Sequence, residues 1–206
     1  MIPTTADTAT FERYVSNIIT RYGQASVEQK IAGERWYVTA NQLASMITDG
    51  DVVKGAGVLA ALSANKSWTE NVKITRRAFA TGTASGHVRD ALRKAERIMN
   101  GEAPEDVLPM GAKTGNFYRC ILDPHDASAV CIDRHAHDIA VGETYGNKDR
   151  GLSSVRRYNL LAEAYREAAR RLNTNPATVQ AVTWVVQVEH YSQWNARKSS
   201  NGNAER

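Results

Sequence analysis

The sequence predicts an all-α fold in a globular protein. Apolar residues recur at the three- and four-residue spacing of helices, capping residues precede these runs, and no alternating strand pattern extends beyond a few residues. At 206 residues and 42% apolar content, the chain can form one sizeable domain, or two small ones that share a core. We divide it into N-terminal helices at 1–50, a helical core at 51–192 and a disordered tail at 193–206.

Five helices are predicted in the first half of the chain. Ser26 is placed to cap the second helix, and the Asp49-Gly50 pair is placed to stop it. The third helix holds the most apolar run of this half and should be buried. Ser67 and Glu70 form a Ser-x-x-Glu capping box at the start of the fourth. The predicted ranges are 11–22, 26–48, 52–63, 67–81 and 84–100.

The fifth predicted helix combines a core stripe with a basic stripe. Apolar residues recur on one face, and arginines recur at four-residue spacing on the other. The helix should therefore pack on the core through one side and present positive charge on the opposite side. The predicted inward residues are Val88, Leu92, Ala95 and Met99, and the outward ones are Arg89, Arg93 and Arg97.

The second half begins with a Pro-Met-Gly-Ala hairpin and a helix that starts near Lys113. Another helix should follow Asp133, and a glycine-rich, charged connection leads to a helix capped by Ser153 or Ser154. Pro176, a favoured first-turn residue, opens the last helix. In the helix after the serine cap, we predict Val155, Tyr158, Leu161, Tyr165, Ala168 and Leu172 inward and Arg157, Arg166 and Arg170 outward.

Charge is distributed unevenly along the chain. Residues 66–119 carry ten Lys and Arg against six Asp and Glu, and residues 148–171 carry seven against three, so each segment has a net charge of +4. The segment between them, 120–147, carries one basic residue against five acidic ones, a net charge of −4. Basic flanks around an acidic centre suit a protein that holds a polyanion such as DNA while keeping carboxylates at a reaction centre. Solvated helix faces that are merely basic are the alternative.

The sequence also indicates where the protein works. No apolar run is long enough to span a membrane, and the N-terminus lacks the basic and then apolar pattern of a signal peptide. We therefore expect an intracellular protein that does not act at a membrane. The two cysteines, Cys120 and Cys131, stand in apolar contexts and should be core thiols. Because there are only two, four-cysteine iron–sulfur and zinc sites are excluded, and we expect no cofactor.

The stretch CIDRHAHDIAVG, residues 131–142, concentrates titratable residues and admits two interpretations. His135, His137 and the neighbouring aspartates could supply metal ligands, and His137-Asp138 resembles the pair of a metal-dependent phosphohydrolase. A two-residue offset on a helix, however, turns side chains about 200° apart, so the two histidines should point in different directions. In the second interpretation, Asp133 is the important residue, because it stands where a helix N-cap would stand, at the positive end of the helix dipole.

Two segments together resemble the helix-hairpin-helix DNA glycosylase superfamily of the endonuclease III type. In that family, a Leu-Pro-Gly-x-Gly-x-Lys-Thr-Ala hairpin carries a lysine, and a downstream Val-Asp-Thr-His stretch carries the essential aspartate. The matching segments here are LPMGAKTGNFYRCIL and CIDRHAHDIAVG. The matching residues are Leu108, Pro109, Gly111, Lys113 and Thr114 in the first motif, and Ile132, Asp133 and His135 in the second.

The resemblance covers about residues 52–190, in the family's order. In LAALSANKSW, residues 59–68, Asn65 occupies the position whose polar side chain helps fill the gap left by an extruded base. The hairpin is one residue shorter than the family's, and the family's cysteine cluster is missing. The small size resembles that of compact members carried by bacteriophages, which would place the protein in the host-cell cytoplasm. Some of those relatives are thought to build modified thymines.

The resemblance implies a DNA glycosylase that acts, as a monomer and without a metal, on a flipped base in double-stranded DNA. Asp133 would stabilise the positive charge that develops on the sugar, and Lys113 would attack the anomeric carbon and give abasic-site lyase activity. His135 would orient the loop of Asp133. The residues expected to contact DNA are Asn65 and Trp68 as plugs, Arg89, Arg93, Lys94 and Lys148 as phosphate clamps, and Gly111 and Thr114 in the hairpin.

Three rival functions stay open at this point. A DNA-hypermodification transferase would use Asp133 and Lys113 at a pyrimidine substituent instead of the sugar. A non-catalytic DNA-binding protein would keep the fold without the chemistry. A metal-dependent phosphohydrolase would require His135 as a ligand.

Overall fold

The computed structural model describes the backbone of residues 5–202 and the side-chain surroundings of residues 5–190. Ten helices and no strand occur in the described part of the chain, so the all-α prediction is confirmed there. Between residues 5 and 202, no helix is long and apolar enough to cross a membrane. The helices are α1 (Thr8–Gly23), α2 (Val27–Ile47), α3 (Val52–Ala61), α4 (Trp68–Thr81), α5 (Arg89–Met99), α6 (Pro104–Val107), α7 (Lys113–Leu122), α8 (Arg134–Val141), α9 (Val155–Arg171) and α10 (Pro176–Gly202).

The helices begin at the capping residues that the sequence offers. The Ser26 hydroxyl accepts a hydrogen bond from the Gln29 N–H at 3.2 Å, and the Gln29 side-chain oxygen accepts one from the Ser26 N–H, which completes a capping box. Ser67 caps α4, and Ser154 caps α9. These contacts depend only on neighbouring residues, which explains why the sequence predicts the starts of these helices well.

Three side chains were placed on the wrong face or outside the helix by the sequence pattern. Val88, predicted inward, is the N-cap of α5 and is exposed, because α5 begins at Arg89 instead of at residue 84. Val155, also predicted inward, occupies the first position of α9 and is exposed. Arg157, predicted outward, is only 1% exposed, because it forms hydrogen bonds to buried polar groups of α1 and α8. The segment predicted as a disordered tail, 193–206, begins within α10, which extends to Gly202, and its last four residues lie outside the described part.

The buried apolar residues form two clusters. The middle cluster combines residues of α2 to α7 with the first turns of α10. The terminal cluster combines residues of α1, α8 and α9 with Val179 of α10. Helix α10 packs along α2 and also contacts α1, α8 and α9, so it joins the two clusters. The chain thus leaves the terminal cluster after α1, builds the middle cluster, and returns with α8.

Close backbone contacts in the middle cluster depend on glycine. A Cβ added to Gly33 would lie 2.5 Å from the Cα of Val182, so α2 and α10 approach each other through this residue. A Cβ added to Gly115, in the first turn of α7, would lie 2.3 Å from the Cα of Met110. The hairpin before α7 is therefore folded tightly back on that helix.

Candidate functional site

A cleft of about 850 Å³ lies where the two clusters meet. It is lined by residues of α2, the α3–α4 turn, the starts of α7 and α8, the loop between α8 and α9, and α10. Among the lining residues are Lys113, Asp133, His135, Asn65 and Trp68, which the sequence motifs predict from three separate segments. The fold therefore gathers these five around one space.

Asp133 reaches the cleft at the end of an extended segment that runs between the clusters. Ala129 and Cys131 belong to the middle cluster, whereas Val130 and Ile132 belong to the terminal cluster. This alternation is typical of extended chain, in which successive side chains point in opposite directions. Asp133 follows at the boundary and caps α8 by accepting a hydrogen bond from the Ala136 N–H at 2.8 Å.

Tyr158 of α9 fixes the segment that carries Asp133. Its hydroxyl accepts a hydrogen bond from the Ile132 N–H at 3.0 Å and donates one to the Val130 carbonyl at 2.9 Å. Burial raises the pKa of Tyr158 well above its usual value, so the phenol keeps the proton that it donates. The backbone immediately before Asp133 is thereby anchored on both its donor and acceptor sides.

Lys113 is the first residue of α7, and it lies close to the segment of Asp133. The Lys113 carbonyl is 3.9 Å from the Sγ of Cys131, two residues before Asp133. Burial raises the pKa of the Cys131 thiol to about 12; the Lys113 ammonium lowers it and the Asp133 carboxylate raises it. Both charges therefore lie close enough to act on the same buried thiol. Cys120 and Cys131 are both buried and free, as the sequence predicts.

An aromatic wall, made of Trp36, Trp68, Phe117 and Trp184, lines the same cleft. The ring centroid of Trp36 lies 5.0 Å from that of Trp68, 5.9 Å from that of Phe117 and 6.1 Å from that of Trp184. Tilted and edge-on pairs at these separations are favourable. Trp36 and Trp184 are only partly buried, so part of the wall faces the cleft and offers apolar surface to a flat ring.

His135 lies on the cleft beside Asp133 and is partly buried. Burial lowers the pKa of His135, which outweighs the opposing effect of the Asp133 carboxylate. The Arg134 Nε lies 3.2 Å from His135 Nε2. Because a guanidinium can only donate, this nitrogen of His135 acts as the acceptor.

The next histidine belongs to a buried polar network rather than to the helix surface. His137 is fully buried; its Nδ1 lies 2.8 Å from Asp138 Oδ1, and its Nε2 lies 3.2 Å from an Arg157 nitrogen. Since Arg157 donates, Nε2 accepts and the ring proton sits on Nδ1, where it is donated to Asp138. Arg157 also donates to the Tyr14 hydroxyl at 3.3 Å. His135 and His137 thus have different surroundings, as the helical offset predicts. No group of three His, Cys, Asp or Glu side chains that could hold a metal occurs among the described residues.

Asp138 also holds the loop between α8 and α9 against the cleft. Arg150 donates to both of its carboxylate oxygens, at 2.7 and 2.8 Å, and the Tyr145 N–H donates at 3.2 Å. Thr144, Gly146 and Asn147 of this loop line the cleft together with Arg150. The bidentate ion pair therefore fixes one wall of the site.

The acid sensitivity of the protein should depend on Asp138. Burial alone would raise the pKa of Asp138, but hydrogen bonds from His137, Arg150 and the Tyr145 N–H outweigh it and lower the pKa from 3.8 to about 2. A carboxyl whose pKa is depressed on folding adds stability above its unfolded pKa and loses it as the pH falls toward the folded value. We expect the free energy of unfolding to fall by about 2 kcal/mol between about pH 4 and pH 2. Urea unfolding measures this loss across the pH range, with Asp138→Asn as the reference. If the free energy of unfolding depended on pH equally in both proteins, the assignment to Asp138 would be contradicted.

A family model described as "Family of unknown function (DUF7178)" matches residues 1–192 of the chain. The chain belongs to this family. No curated protein and no solved structure matches it.

The predicted clamp residues lie outside the cleft. Arg93 and Lys94 both pair with Asp90 on the exposed face of α5, at 2.9 and 2.6 Å. Arg89 is exposed at the start of α5. His87 Nε2 lies 2.8 Å from the Ala64 carbonyl, and this contact holds the start of α5 near the α3–α4 turn.

The remaining predicted DNA contacts lie in the hairpin and in the loop after α8. Lys148 is exposed there, with its ammonium 3.4 Å from Glu143. Gly111 is exposed in the hairpin, and Thr114 occupies the first turn of α7 beside Lys113. Their contacts to DNA stay predictions.

Asn65 occupies a special backbone position. It is exposed in the turn between α3 and α4, and its φ is 55°. Asn tolerates this left-handed conformation better than most residues. Asn65 lines the cleft together with Trp68 of the aromatic wall.

The sequence analysis missed several residues that shape the cleft. Trp36, Trp184 and Gln180 reach it because α2 packs along α10, a pairing that no local pattern predicts. The role of Tyr158 was missed as well, since helical spacing showed only that it faces inward. The sequence signal for an anchored segment is the apolar run AVCI, residues 129–132, directly before the capping Asp133.

Proposed function

We propose that the protein is a DNA glycosylase-like enzyme that acts on a base flipped into the cleft. The observation that carries the proposal is that Lys113 and Asp133, twenty residues apart in the sequence, line one cleft beside an aromatic wall. A carboxylate can stabilise the sugar during cleavage of an N-glycosidic bond, an amine can act as the nucleophile, and the aromatic wall can accept a flat ring. The resemblance of the two motifs to the helix-hairpin-helix glycosylases supports the same reaction.

Asp133 would act on the sugar. As the bond between C1′ and the base breaks, positive charge develops on the sugar ring, and a fixed carboxylate stabilises it. The hydrogen bonds of Tyr158 hold the backbone before Asp133, so the carboxylate needs little rearrangement during the reaction. One carboxylate oxygen accepts from the Ala136 N–H, which keeps the side chain oriented.

Lys113 would act as the nucleophile. Its unprotonated Nζ would form a bond to C1′ while the bond from C1′ to the base breaks, and the base would leave with a proton taken from solvent. Among the described residues, no carboxylate forms an ion pair with this ammonium, which keeps the amine available. Opening of the sugar at the C1′–O4′ bond, with loss of a proton from Nζ to solvent, would convert this adduct into a Schiff base, which permits strand cleavage at the abasic site.

The remaining lining residues would hold the DNA and the flipped base. A base taken out of the stack can lie on the aromatic wall, since stacking on aromatic rings is favourable for every base. Asn65 is exposed at the mouth and would fill the gap in the duplex. The exposed basic residues of α5 and of the loop after α8 would contact DNA phosphates that lie farther from the flipped base.

Borohydride trapping tests the role of Lys113. Wild-type protein incubated with abasic-site duplex DNA and borohydride should form a covalent adduct, because borohydride reduces the Schiff base to a stable amine. Lys113→Ala should form none, whereas Lys66→Ala, which removes another lysine of the cleft, should form the wild-type amount. Denaturing gel electrophoresis measures the adduct. Undiminished trapping with Lys113→Ala would remove Lys113 from the mechanism and leave Asp133 in place.

Product analysis separates the glycosylase from a base-modifying transferase. Only a glycosylase releases free base and leaves an abasic site, which chromatography of digested DNA detects. A heavier base that stays attached to the DNA would contradict the proposal and favour the transferase.

A further inference from the structure

Most buried polar groups of the cleft are already engaged within the protein. The Asn71 amide donates to the Leu59 carbonyl at 2.9 Å, and its oxygen accepts from Thr75 at 3.2 Å. Ser63 donates to the Ala60 carbonyl at 2.9 Å. Asp138 is surrounded by its donors. These groups shape the cleft but have little capacity left for a ligand.

Gln180 differs from them. It is 5% exposed and lines the cleft from α10. The Tyr37 hydroxyl donates to its Oε1 at 2.8 Å, and Tyr37 is itself buried. With its oxygen bound to this hydroxyl, the amide directs Nε2 the opposite way. Within the described residues, Nε2 has no acceptor, and it is not among the fully enclosed polar atoms. Two N–H donors are therefore presented to the cleft.

The surroundings of Gln180 fit the edge of a base. Trp184 lies one turn further along α10, and Trp36 lies 6.1 Å from it, so the aromatic wall flanks the amide. The sugar of a flipped nucleotide stays bound to the DNA backbone, so the base enters the cleft ahead of the sugar. The edge opposite the glycosidic bond, which is the Watson–Crick edge, therefore enters deepest and can meet the buried amide of Gln180.

We propose that Gln180 determines base specificity by donating a hydrogen bond to the carbonyl oxygen at C4 of a pyrimidine or C6 of a purine. The substrate class is then the keto bases, such as uracil, thymine, guanine or hypoxanthine. Bases with an amino group at that position, cytosine and adenine, would oppose donor to donor and be rejected. This inference rests on the proposed function, because it assumes that a flipped base occupies the cleft.

Binding to matched pairs of duplexes tests the inference without chemistry. Asp133→Asn protein is titrated by fluorescence anisotropy with duplexes that carry one base opposite a tetrahydrofuran residue, so that no target base is paired. Uracil is compared with cytosine and hypoxanthine with adenine, since the members of each pair differ mainly in whether a carbonyl or an amino group stands at the tested position. We expect the keto member to bind about tenfold more tightly in at least one pair.

A donor-to-acceptor exchange then identifies the residue. Adding Gln180→Glu to the same protein should reverse the preference toward the amino base, because a carboxylate oxygen replaces the N–H donors at nearly the same volume. Gln187→Glu is the matched control: it changes a glutamine of the same helix with similar burial, 6% exposed, that does not line the cleft, and it should leave the preference unchanged.

The outcomes separate this inference from the proposed function. Equal binding of keto and amino bases, or a preference that survives Gln180→Glu, overturns the role of Gln180 while Lys113 and Asp133 keep theirs. Loss of binding to every duplex with Asp133→Asn and with wild-type protein overturns both. A circular dichroism melting curve for Gln180→Glu that matches that of Gln187→Glu shows that the comparison is made between equally folded proteins.

Discussion

Replacing Asp133 by Asn should reduce base release at least about a hundredfold, because the amide removes the negative charge that stabilises the sugar in the transition state. The change is nearly isosteric, and Asn is as good a helix cap as Asp. The bond from the Ala136 N–H and the anchoring by Tyr158 can therefore persist. We expect the affinity for DNA to change little. Single-turnover release of free base and anisotropy titration measure the two quantities.

A second capping aspartate provides the control. Asp7 caps α1 by accepting from the Thr10 N–H at 2.7 Å, and it does not line the cleft. Asp7→Asn makes the same chemical change at the same kind of helix position, and it should leave base release at the wild-type rate. Asp133→Asn protein that releases base at the rate of Asp7→Asn protein would show that Asp133 is only a helix cap. A comparable loss in both variants would point to a general effect on folding.

A structural feature can be predicted from the sequence when residues close together in the chain determine it. Ser26, Ser67 and Asp133 start helices through contacts to residues no more than three positions away, and their caps were predicted. Arg157 was placed outward because helical spacing counts an arginine as a surface residue. Its burial depends on Tyr14 and His137, which lie in other helices.

The same distinction between local and long-range contacts applies to the candidate site. Lys113 and Asp133 were selected from motifs, since each motif is short and continuous, and the structure places them on one cleft. The aromatic wall could not be predicted, because Trp36 and Trp184 meet only when α2 and α10 pack together. Motifs identify the residues that carry charge, whereas the packing of distant helices determines what those charges surround.

Asp138→Asn should destabilise the protein by about 3–5 kcal/mol, because it removes the carboxylate of a buried ion pair with Arg150. Asp138 accepts from Arg150 through both oxygens and from His137. An Asn can accept through its single oxygen only, and its NH₂ group would face a donor of Arg150. For a chain of this size, the melting temperature should fall by roughly 10 °C.

The same change should release the loop between α8 and α9, since Arg150 and the Tyr145 N–H lose their shared acceptor. Hydrogen exchange should therefore increase in residues 143–151 before it increases elsewhere. Asp90→Asn is the matched control: Asp90 also pairs with two basic side chains, Arg93 and Lys94, but the Asp90 side chain is 56% exposed. Exposed pairs contribute less than about 1 kcal/mol, so this control should melt close to the wild-type temperature. If Asp138→Asn melted there too, the ion pair would be no more than a surface contact, and some other interaction would have to hold the loop wall of the cleft.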